Sequence, residues 1–171
     1  MQTKNNIIVS AEHLAQGKGA SLSEIEYSII IASHSMQSWV VRCMISAGGP
    51  DKMTYLDALV LHNVYHRERS KRLADICFTY NISDTHTVSY SLRKLSKFGL
   101  INPEKRGKET YYGISFEGKN VCNKYAEIRQ QCLVEALEGT IDTNINMHES
   151  ARLLRTLSGL YDQAGRAASS L

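Results

Sequence analysis

Residues 70–115 include Ser70-Lys-Arg-Leu-Ala-Asp75, then Ile82-Ser-Asp-Thr-His-Thr-Val-Ser-Tyr-Ser-Leu-Arg-Lys-Leu95, then Phe98-Gly-Leu-Ile101, then Lys105-Arg-Gly-Lys-Glu-Thr-Tyr-Tyr112. These segments predict two short helices, a helix stop at Gly99 and a basic β hairpin. A winged helix-turn-helix needs this order of elements to place one helix in a DNA groove and a basic loop beside it. The stretch therefore predicts a fold and, with it, a polyanionic partner.

The second of the two short helices is the candidate for entering the groove. We expect Ser83 to cap it, and the spacing of Val88, Leu92 and Leu95 predicts one buried face. The opposite face then carries hydrogen-bonding side chains that can reach base edges. The preceding helix, expected over residues 71–80 with Ser70 as its cap, begins with two cations. The candidate DNA-binding residues of these helices and of the hairpin tip are Lys71, Arg72, Ser83, Thr85, His86, Ser89, Tyr90, Arg93, Lys105, Arg106 and Lys108.

Longer helices are expected on both sides of this stretch. A first helix over residues 23–47 begins with a Ser-x-x-Glu capping box that has Ser23 as its cap. A second begins after Thr54, with Asp57 at the capping-box position. Two more follow the hairpin, one starting near Phe116 and one over residues 145–167. The predicted fold class is mainly α (α+β): a winged helix-turn-helix lobe with a small β hairpin wing, flanked by long N- and C-terminal helices.

The positive charge of the chain is concentrated. Its net charge is +3, but residues 67–108 hold ten Lys or Arg and four Asp or Glu, a local balance of +6. Such a concentration is typical of a surface that meets a polyanion, although a solvated helical surface would have the same composition. Apolar runs such as Ile29-Ile30-Ile31 are too short to span a bilayer, and no export signal is visible. We therefore expect a cytoplasmic protein that does not enter the membrane.

The motifs of residues 23–165 resemble the MarR family of winged-helix regulators. The resemblance rests on Ser70-x-x-Leu-Ala74, the opening Ile82-Ser-x-x-x-x-Val-Ser89, Leu95-x-x-x-Gly-Leu-Ile101, the hairpin, and Ile114-Ser-Phe-Glu-Gly118. It implies a homodimer that binds a near-palindromic operator in double-stranded DNA. It also implies a pocket between dimer interface and DNA-binding lobe, often for a small aromatic or phenolic ligand. No cofactor is implied.

The resemblance also suggests a division of the chain. Residues 1–20 are expected to form a flexible arm and residues 21–171 a single domain. Within that domain, about 54–115 would be the DNA-binding lobe, and about 21–50 and 116–168 the dimerisation helices. Dimerisation has a physical basis too, because a lobe of this size cannot cover the apolar stripes of three long helices. An intramolecular helical bundle is the alternative.

Two positions depart from the family pattern. The family carries Asp-x-Arg in the wing, where the Asp orients the Arg, whereas the tip here reads Lys105-Arg-Gly-Lys-Glu109. We therefore expect Arg106 or Lys108 to be held less rigidly. Tyr90 stands where the family often has Arg, and tyrosine cannot make the bidentate guanine contact of Arg, so the operator preference should differ.

The sequence also permits functions other than DNA binding. A winged-helix module for protein–protein contact would use the same basic surface. His62 and His66 could ligate one metal ion from one helix face, but the only nearby carboxylate or thiol, Glu68, is expected to point elsewhere on the helix. The cysteines permit a thiol-based redox switch, with Cys43 or Cys122 as the better candidates, although Cys43, Cys77 and Cys132 fall on apolar stripes that favour inert thiols. No enzyme motif is present, so we expect no catalytic activity.

Overall fold

The computed structural model describes residues 8–138 and 146–171, and the chain divides into two compact units, residues 1–130 and 131–171. The helices of the described residues are α1 (Ala20–Ser46), α2 (Tyr55–Tyr65), α3 (Leu73–Thr79), α4 (Thr85–Lys97), α5 (Phe116–Arg129), α6 (Glu135–Glu138) and α7 (Met147–Ala168). The strands are β1 (Lys71–Arg72), β2 (Ile101–Arg106) and β3 (Glu109–Ile114). The expected mainly helical fold with a small β wing is confirmed.

Helix α1 begins three residues earlier than predicted. Ser23 is not its cap but lies inside the helix, buried, and its hydroxyl donates to the carbonyl of Leu14 at 2.6 Å. The bond ties a 3₁₀ turn, Glu12–Leu14, to the first part of α1. That turn lies in the predicted flexible arm, whose residues 1–7 lie outside the described residues.

The start of α2 agrees with the sequence. The Thr54 hydroxyl accepts from the Asp57 N–H at 3.3 Å, and the Asp57 carboxylate accepts from the Thr54 N–H at 2.8 Å. This is the reciprocal capping box, which satisfies two backbone donors that a helix start leaves free. The Asp57 carboxylate also bonds Ser91 and Lys94 of α4, which the local pattern does not predict.

The sheet has three antiparallel strands in the order β1-β3-β2, one more than the predicted hairpin. Lys71 pairs with Tyr112 and Arg72 with Tyr111, so these two residues form a strand rather than the first turn of α3. Helix α3 therefore starts at Leu73, and Ser70 is not its cap. The predicted hairpin itself is confirmed, since β2 and β3 pair from Ile101–Ile114 to Arg106–Glu109.

The core of the first unit lies where α1, α2, α3, α4 and α5 meet the root of the sheet. Its fully buried aliphatic side chains include Met44, Leu61, Ile76, Leu92 and Leu95. Complete burial of five such side chains contributes roughly 1.5–3 kcal/mol each relative to exposure. The core thus fixes how α4 is seated against the rest of the unit.

Gly118, in the first turn of α5, permits a close approach. A Cβ atom at this position would lie 2.1 Å from the carbonyl oxygen of Leu100 and 2.8 Å from Cδ1 of Ile114. Ser115 caps the helix, accepting from the Gly118 N–H at 2.9 Å and donating to the Gly99 carbonyl at 2.6 Å. The glycine of the Ile-Ser-Phe-Glu-Gly motif is therefore required by packing against the root of the wing.

The second unit consists of the end of a π-helical segment (Gln130–Val134), α6 and α7 in its described part. Helix α7 starts at Met147, where Asn146 caps it, and the predicted start at Ile145 lies outside the described residues. No residue of α7 is buried. Within residues 8–138 and 146–171, no helix is both long and apolar enough to cross a bilayer.

Candidate nucleic-acid interface

Helix α4 presents one buried and one exposed face. Val88, Leu92 and Leu95 are fully buried, as their spacing predicted. On the other side His86, Tyr90 and Arg93 are exposed, with 64% of Tyr90 accessible. The imidazole of His86, the phenol of Tyr90 and the guanidinium of Arg93 thus lie on the solvent side of a helix whose opposite face is packed into the core. Of the two flanking candidates, Thr85 is exposed and Ser89 half-buried.

The first turn of α4 is capped by Asp84, and not by Ser83 as predicted. The Asp84 carboxylate accepts from the His86 N–H at 2.9 Å, and the Thr87 hydroxyl donates to the Asp84 carbonyl at 2.8 Å. Ser83 lies before the helix and is exposed. A carboxylate at the positive end of the helix dipole lowers the attraction of this end for phosphate, so a phosphate contact by Ser83 depends on its hydroxyl alone.

Asp57 connects the start of α2 to α4. Its carboxylate accepts from the Ser91 hydroxyl at 2.8 Å and from the Lys94 ammonium at 2.5 Å, while Lys94 also donates to the Lys52 carbonyl at 2.6 Å. Burial alone would raise the pKa of Asp57, but the hydrogen bonds from Lys94, Thr54 and Ser91 outweigh it and hold that pKa below its ordinary value. The carboxyl group is therefore an ionised, fully bonded anchor for α4.

Arg72 is engaged within the protein rather than free for DNA. Its guanidinium bonds the Asp75 carboxylate at 2.9 and 3.2 Å and the Glu109 carboxylate at 3.1 and 3.3 Å. These contacts with Asp75 and Glu109 raise the pKa of Arg72 above its ordinary value. Arg72 thus joins the first turn of α3 to the wing strand β3, whereas its neighbour Lys71 forms no ion pair within the described residues.

The wing holds Arg106 in a defined orientation, contrary to the expectation of a loosely held cation. The Glu104 carboxylate accepts from the Arg106 guanidinium at 2.6 Å, and the guanidinium carbon lies 4.7 Å from the ring centre of Tyr111. Glu104 thus lies two residues before Arg106, the spacing of the family's Asp-x-Arg, and bonds its guanidinium. The signal was present in the sequence two residues before the arginine, but with Glu in place of Asp.

The turn at the tip of the wing is short. Strands β2 and β3 are joined by Gly107 and Lys108 alone, and Gly107 has a φ of 64°. A glycine with positive φ at the first position of a two-residue hairpin turn is the arrangement of a type II′ turn. Lys108, within the turn, and Lys105, two residues before it, are both exposed.

Most of the basic residues in the 67–108 segment are uncompensated. Arg72, Lys94 and Arg106 are in ion pairs, and the other seven Lys or Arg form none within the part of the chain that the structure describes. Conversely, each of the four carboxylates of the segment is bound by a group of the chain itself. The segment therefore carries positive charge that is available to a partner, whereas its four carboxylates are bonded within the chain.

The two histidines of the predicted pair lie in different surroundings. His66 lies beyond the end of α2, while His62 is half-buried with its ring edge-on to Tyr125, the centroids 4.6 Å apart. Burial lowers the pKa of His62. No cluster of three or more His, Cys, Asp or Glu side chains suited to a metal ion occurs in residues 8–138 and 146–171.

None of the four cysteines forms a disulfide bond. Cys43, Cys77 and Cys122 are buried, and burial raises the pKa of Cys122 to about 12. A thiol that stays protonated is a poor nucleophile, so Cys122 is a weak candidate for redox sensing. Cys132 is exposed in its unit, whereas the sequence placed it on an inward stripe.

Comparison with known domains agrees with this geometry. A family model described as a winged helix DNA-binding domain matches residues 53–118. Residues 53–118 therefore have the winged helix fold. The match begins just before the capping box of α2 and ends at Gly118, so the winged helix domain includes α4, the wing and the Asp57 anchor. No curated protein matches the chain by sequence.

The fold extends beyond the winged helix domain. Staphylococcus aureus MepR, in a complex with DNA, is 20% identical, and the alignment covers 78% of this chain and 96% of MepR with a TM-score of 0.63. A MarR-family transcriptional regulator from Rhodococcus sp. RHA1 is 13% identical over 84% of this chain and 96% of its own, with a TM-score of 0.60. RV1404 from Mycobacterium tuberculosis is 14% identical over 85% and 95%, also with a TM-score of 0.60. The resemblance to the MarR family is thereby confirmed at the level of the fold.

Proposed function

We propose that this protein is a dimeric, sequence-specific, DNA-binding transcription regulator of MarR type. The observation that carries the proposal is the exposed row of His86, Tyr90 and Arg93 on α4, a helix whose opposite face is fully buried. A helix of this kind fits the major groove, where imidazole, phenol and guanidinium groups reach base edges. Thr85 and Ser89 flank the row and add hydroxyl groups. The coarser statement, a transcription regulator with a winged helix domain, agrees with the neighbours in fold.

The phosphate contacts are assigned to cations that the chain does not use internally. Lys71 before α3, and Lys105 and Lys108 at the tip of the wing, meet that condition. Ser83 can add a hydroxyl. Arg72 is assigned a different part, since its bonds to Asp75 and Glu109 hold the wing strand against α3. Phosphate contacts of this kind position the protein on the duplex without reading sequence.

Arg106 is the candidate for the minor groove. Glu104 and Tyr111 restrict its guanidinium, which lowers the entropy lost on insertion into a narrow groove. Narrow minor grooves have enhanced negative potential that attracts Arg. The intramolecular carboxylate is also a cost, because DNA must draw the guanidinium partly away from it.

Dimerisation is proposed from helix surfaces that each unit leaves exposed. In the second unit Leu153, Leu154 and Leu160 of α7 are 47%, 48% and 52% accessible. In the first unit, Ile30 and Ile31 of α1 are 46% and 49% accessible. A second copy of the chain would cover these residues, and twofold symmetry would place two α4 helices about one helical turn apart, ~34 Å, on a near-palindromic operator.

A small aromatic ligand is part of the MarR-type proposal. Support from this chain is the cluster of Trp39, His62 and Tyr125, aromatic rings contributed by α1, α2 and α5. The Nε2 atom of His62 is buried there without a hydrogen-bond partner among the described residues. A phenolic hydroxyl could provide that partner.

Selection of binding sites from random duplex DNA tests the proposal. We expect a twofold-symmetric sequence to be enriched, because two copies would read related half-sites. Enrichment of no sequence, together with binding to an acidic protein surface, would instead indicate a protein–protein module. Release of bound DNA by peroxide, abolished by a Cys→Ser substitution, would add a thiol switch to the regulator.

Variants then separate base reading from phosphate contact on the selected sequence. Arg93→Ala and Tyr90→Ala should weaken binding to it by about 1–3 kcal/mol each and binding to random duplex by less. Lys108→Ala should reduce the salt dependence, by roughly 0.9 in slope if one phosphate contact is lost. Arg166→Ala on α7 removes the same charge outside the winged helix domain and serves as the control. Equal losses on both duplexes would reject the base-reading role of α4.

A further inference from the structure

Lys94 belongs to the basic segment by sequence, but its side chain is not available to a partner. It is 16% exposed, against an exposed Arg93 immediately before it. Its ammonium bonds Asp57 Oδ2 at 2.5 Å and the Lys52 carbonyl at 2.6 Å. Two of its three donors are therefore used within the chain itself, on residues that precede or begin α2.

The acceptor side of this contact is complete as well. The Asp57 side chain is 2% exposed, and each of its oxygens is bonded: Oδ1 by the Ser91 hydroxyl, Oδ2 by Lys94 and by the Thr54 N–H. A buried carboxylate with both oxygens bonded holds its partners in one geometry, because any other arrangement leaves a charge unpaired in a nonpolar surrounding. The geometry of the three donors is therefore strongly determined.

Ser91 and Lys94 lie three residues apart on α4 and so share one of its faces. Tyr90 directly precedes Ser91 in the chain, and Arg93 directly precedes Lys94. Both Tyr90 and Arg93 belong to the exposed row of α4. Since successive residues of a helix are separated by about 100° around its axis, fixing the direction of Ser91 and Lys94 also fixes that of Tyr90 and Arg93. A small rotation of α4 would move all four together.

We propose that Asp57 and Lys94 are positioning residues for sequence recognition, and that Lys94 contacts no phosphate. They hold the rotation of α4 about its own axis, and through it the direction in which Tyr90 and Arg93 meet the base edges. The inference rests on the proposed function. It differs from the usual interpretation of a lysine in a basic DNA-binding segment, which would assign Lys94 to the DNA backbone.

The two interpretations predict different measurements on the full-length protein. A lost phosphate contact lowers the slope of log affinity against log salt by about 0.9 and weakens all duplexes alike. A lost positioning contact leaves the slope unchanged and lowers the ratio of affinities for selected and random duplex, since only base contacts depend on the direction of Tyr90 and Arg93. The ratio is measured per folded molecule, so a mere loss of stability does not move it.

The decisive variants are Lys94→Met and Lys94→Arg, with Lys97→Met as the matched control. Lys97 is an exposed lysine on the same helix and forms no ion pair within the described residues. We expect both Lys94 variants to lower the affinity ratio about tenfold with an unchanged salt slope, a loss of the size of one good base contact. Arginine keeps the charge but is longer and planar, so it would preserve a phosphate contact and disturb the buried one. An unchanged ratio in Lys94→Arg, or a reduced slope with an unchanged ratio in Lys94→Met, would overturn the proposal.

A second measurement does not depend on DNA. Amide hydrogen exchange in the free protein should become faster for residues 91–95 in Lys94→Met than in Lys97→Met, with the amides of β2 and β3 unaffected. Equal exchange in the two variants would overturn the positioning role. Failure of the proposed function would give a different result. The wild-type protein would then select no DNA sequence, while the difference in hydrogen exchange between the two variants would remain.

Discussion

Helices α4 and α7 have similar patterns and opposite surroundings. Both repeat aliphatic side chains at spacings of three and four residues, with polar side chains between them. In α4 the apolar face is filled by the chain itself, and Val88, Leu92 and Leu95 are fully buried. In α7 no residue is buried, and Leu153, Leu154 and Leu160 are 47%, 48% and 52% accessible. An amphipathic pattern therefore predicts that a face will be covered, but it does not identify what covers it.

The largest expected difference between the two helices is in stability. Leu92→Ala should lower the free energy of unfolding by about 2–5 kcal/mol, because it removes packed methyl groups and leaves a cavity that the core only partly closes. Leu153→Ala should lower it by much less at protein concentrations at which the chain is monomeric. Urea unfolding measured at several protein concentrations makes the comparison. Equal losses in the two variants at low concentration would mean that α7 is covered by its own chain.

A second test asks whether another copy of the chain covers α7. The double variant Leu154→Asp, Leu160→Asp should weaken self-association by about 3 kcal/mol, roughly a hundredfold in Kd, because two charges would have to be buried unpaired. Sedimentation velocity measures the change. Arg155→Asp places the same side chain on the opposite side of α7 and should leave association unaltered. If the double variant associates as strongly as wild type, the α7 leucines are not the interface.

The smallest expected effect is a pH dependence that separates two buried ionisable groups. The Asp57 carboxylate next to α4 is fully bonded, whereas the half-buried His62 imidazole is not. Burial lowers the pKa of His62 below its usual 6.5, so the unfolded chain binds a proton first as pH falls. Stability therefore decreases below about pH 6.5, by at most ~1.4 kcal/mol per pH unit, until the lowered pKa of the folded state is reached.

His62→Phe should remove that slope. Urea unfolding at about pH 5 and about pH 7.5 gives the difference between variant and wild type. The control is His66→Phe, since His66 is exposed and lies four residues further along the chain. A slope that is the same in His62→Phe and wild type would show that His62 is not held neutral by burial.

Much of the fold follows from local signals in the sequence. The reciprocal box of Thr54 and Asp57 sets the start of α2, and Gly99, with a φ of 71°, ends the region of α4 as predicted. Asn81, with a φ of 53°, takes the left-handed conformation that its side chain favours. In each case the deciding chemistry lies within four residues of the position, so a linear sequence contains it.

The predictions that were wrong, the cap of α4 and the assignment of residues 71 and 72 to α3, have a common cause. Ser83 and Asp84 are both good caps in adjacent positions, and only the observed backbone selects the second. Strand β1 has two residues of low strand propensity and exists because Tyr111 and Tyr112 pair with them. The outcome at each place depends on competition or on a partner distant in sequence.

The candidate site also has features that the local sequence predicts and features that it does not. The exposed row of α4 could be read from the spacing of Val88, Leu92 and Leu95. The bond between Asp57 and Lys94 joins residues 37 positions apart, and nothing in either local segment distinguishes Lys94 from an ordinary surface lysine. Glu104 could have been found, since it needed only the substitution of one carboxylate for another in a known pattern.

The close contact at Gly118 couples the orientation of the wing to that of α5. With no space for even one methyl group between the first turn of α5 and the carbonyl of Leu100, the root of the hairpin cannot pivot separately from that helix. Strand β2 has six residues, so the tip lies roughly 20 Å from the root at ~3.3 Å per residue. A tilt of α5 by only about 5° would then displace Arg106 by nearly 2 Å, enough to withdraw it from a groove about 6 Å wide.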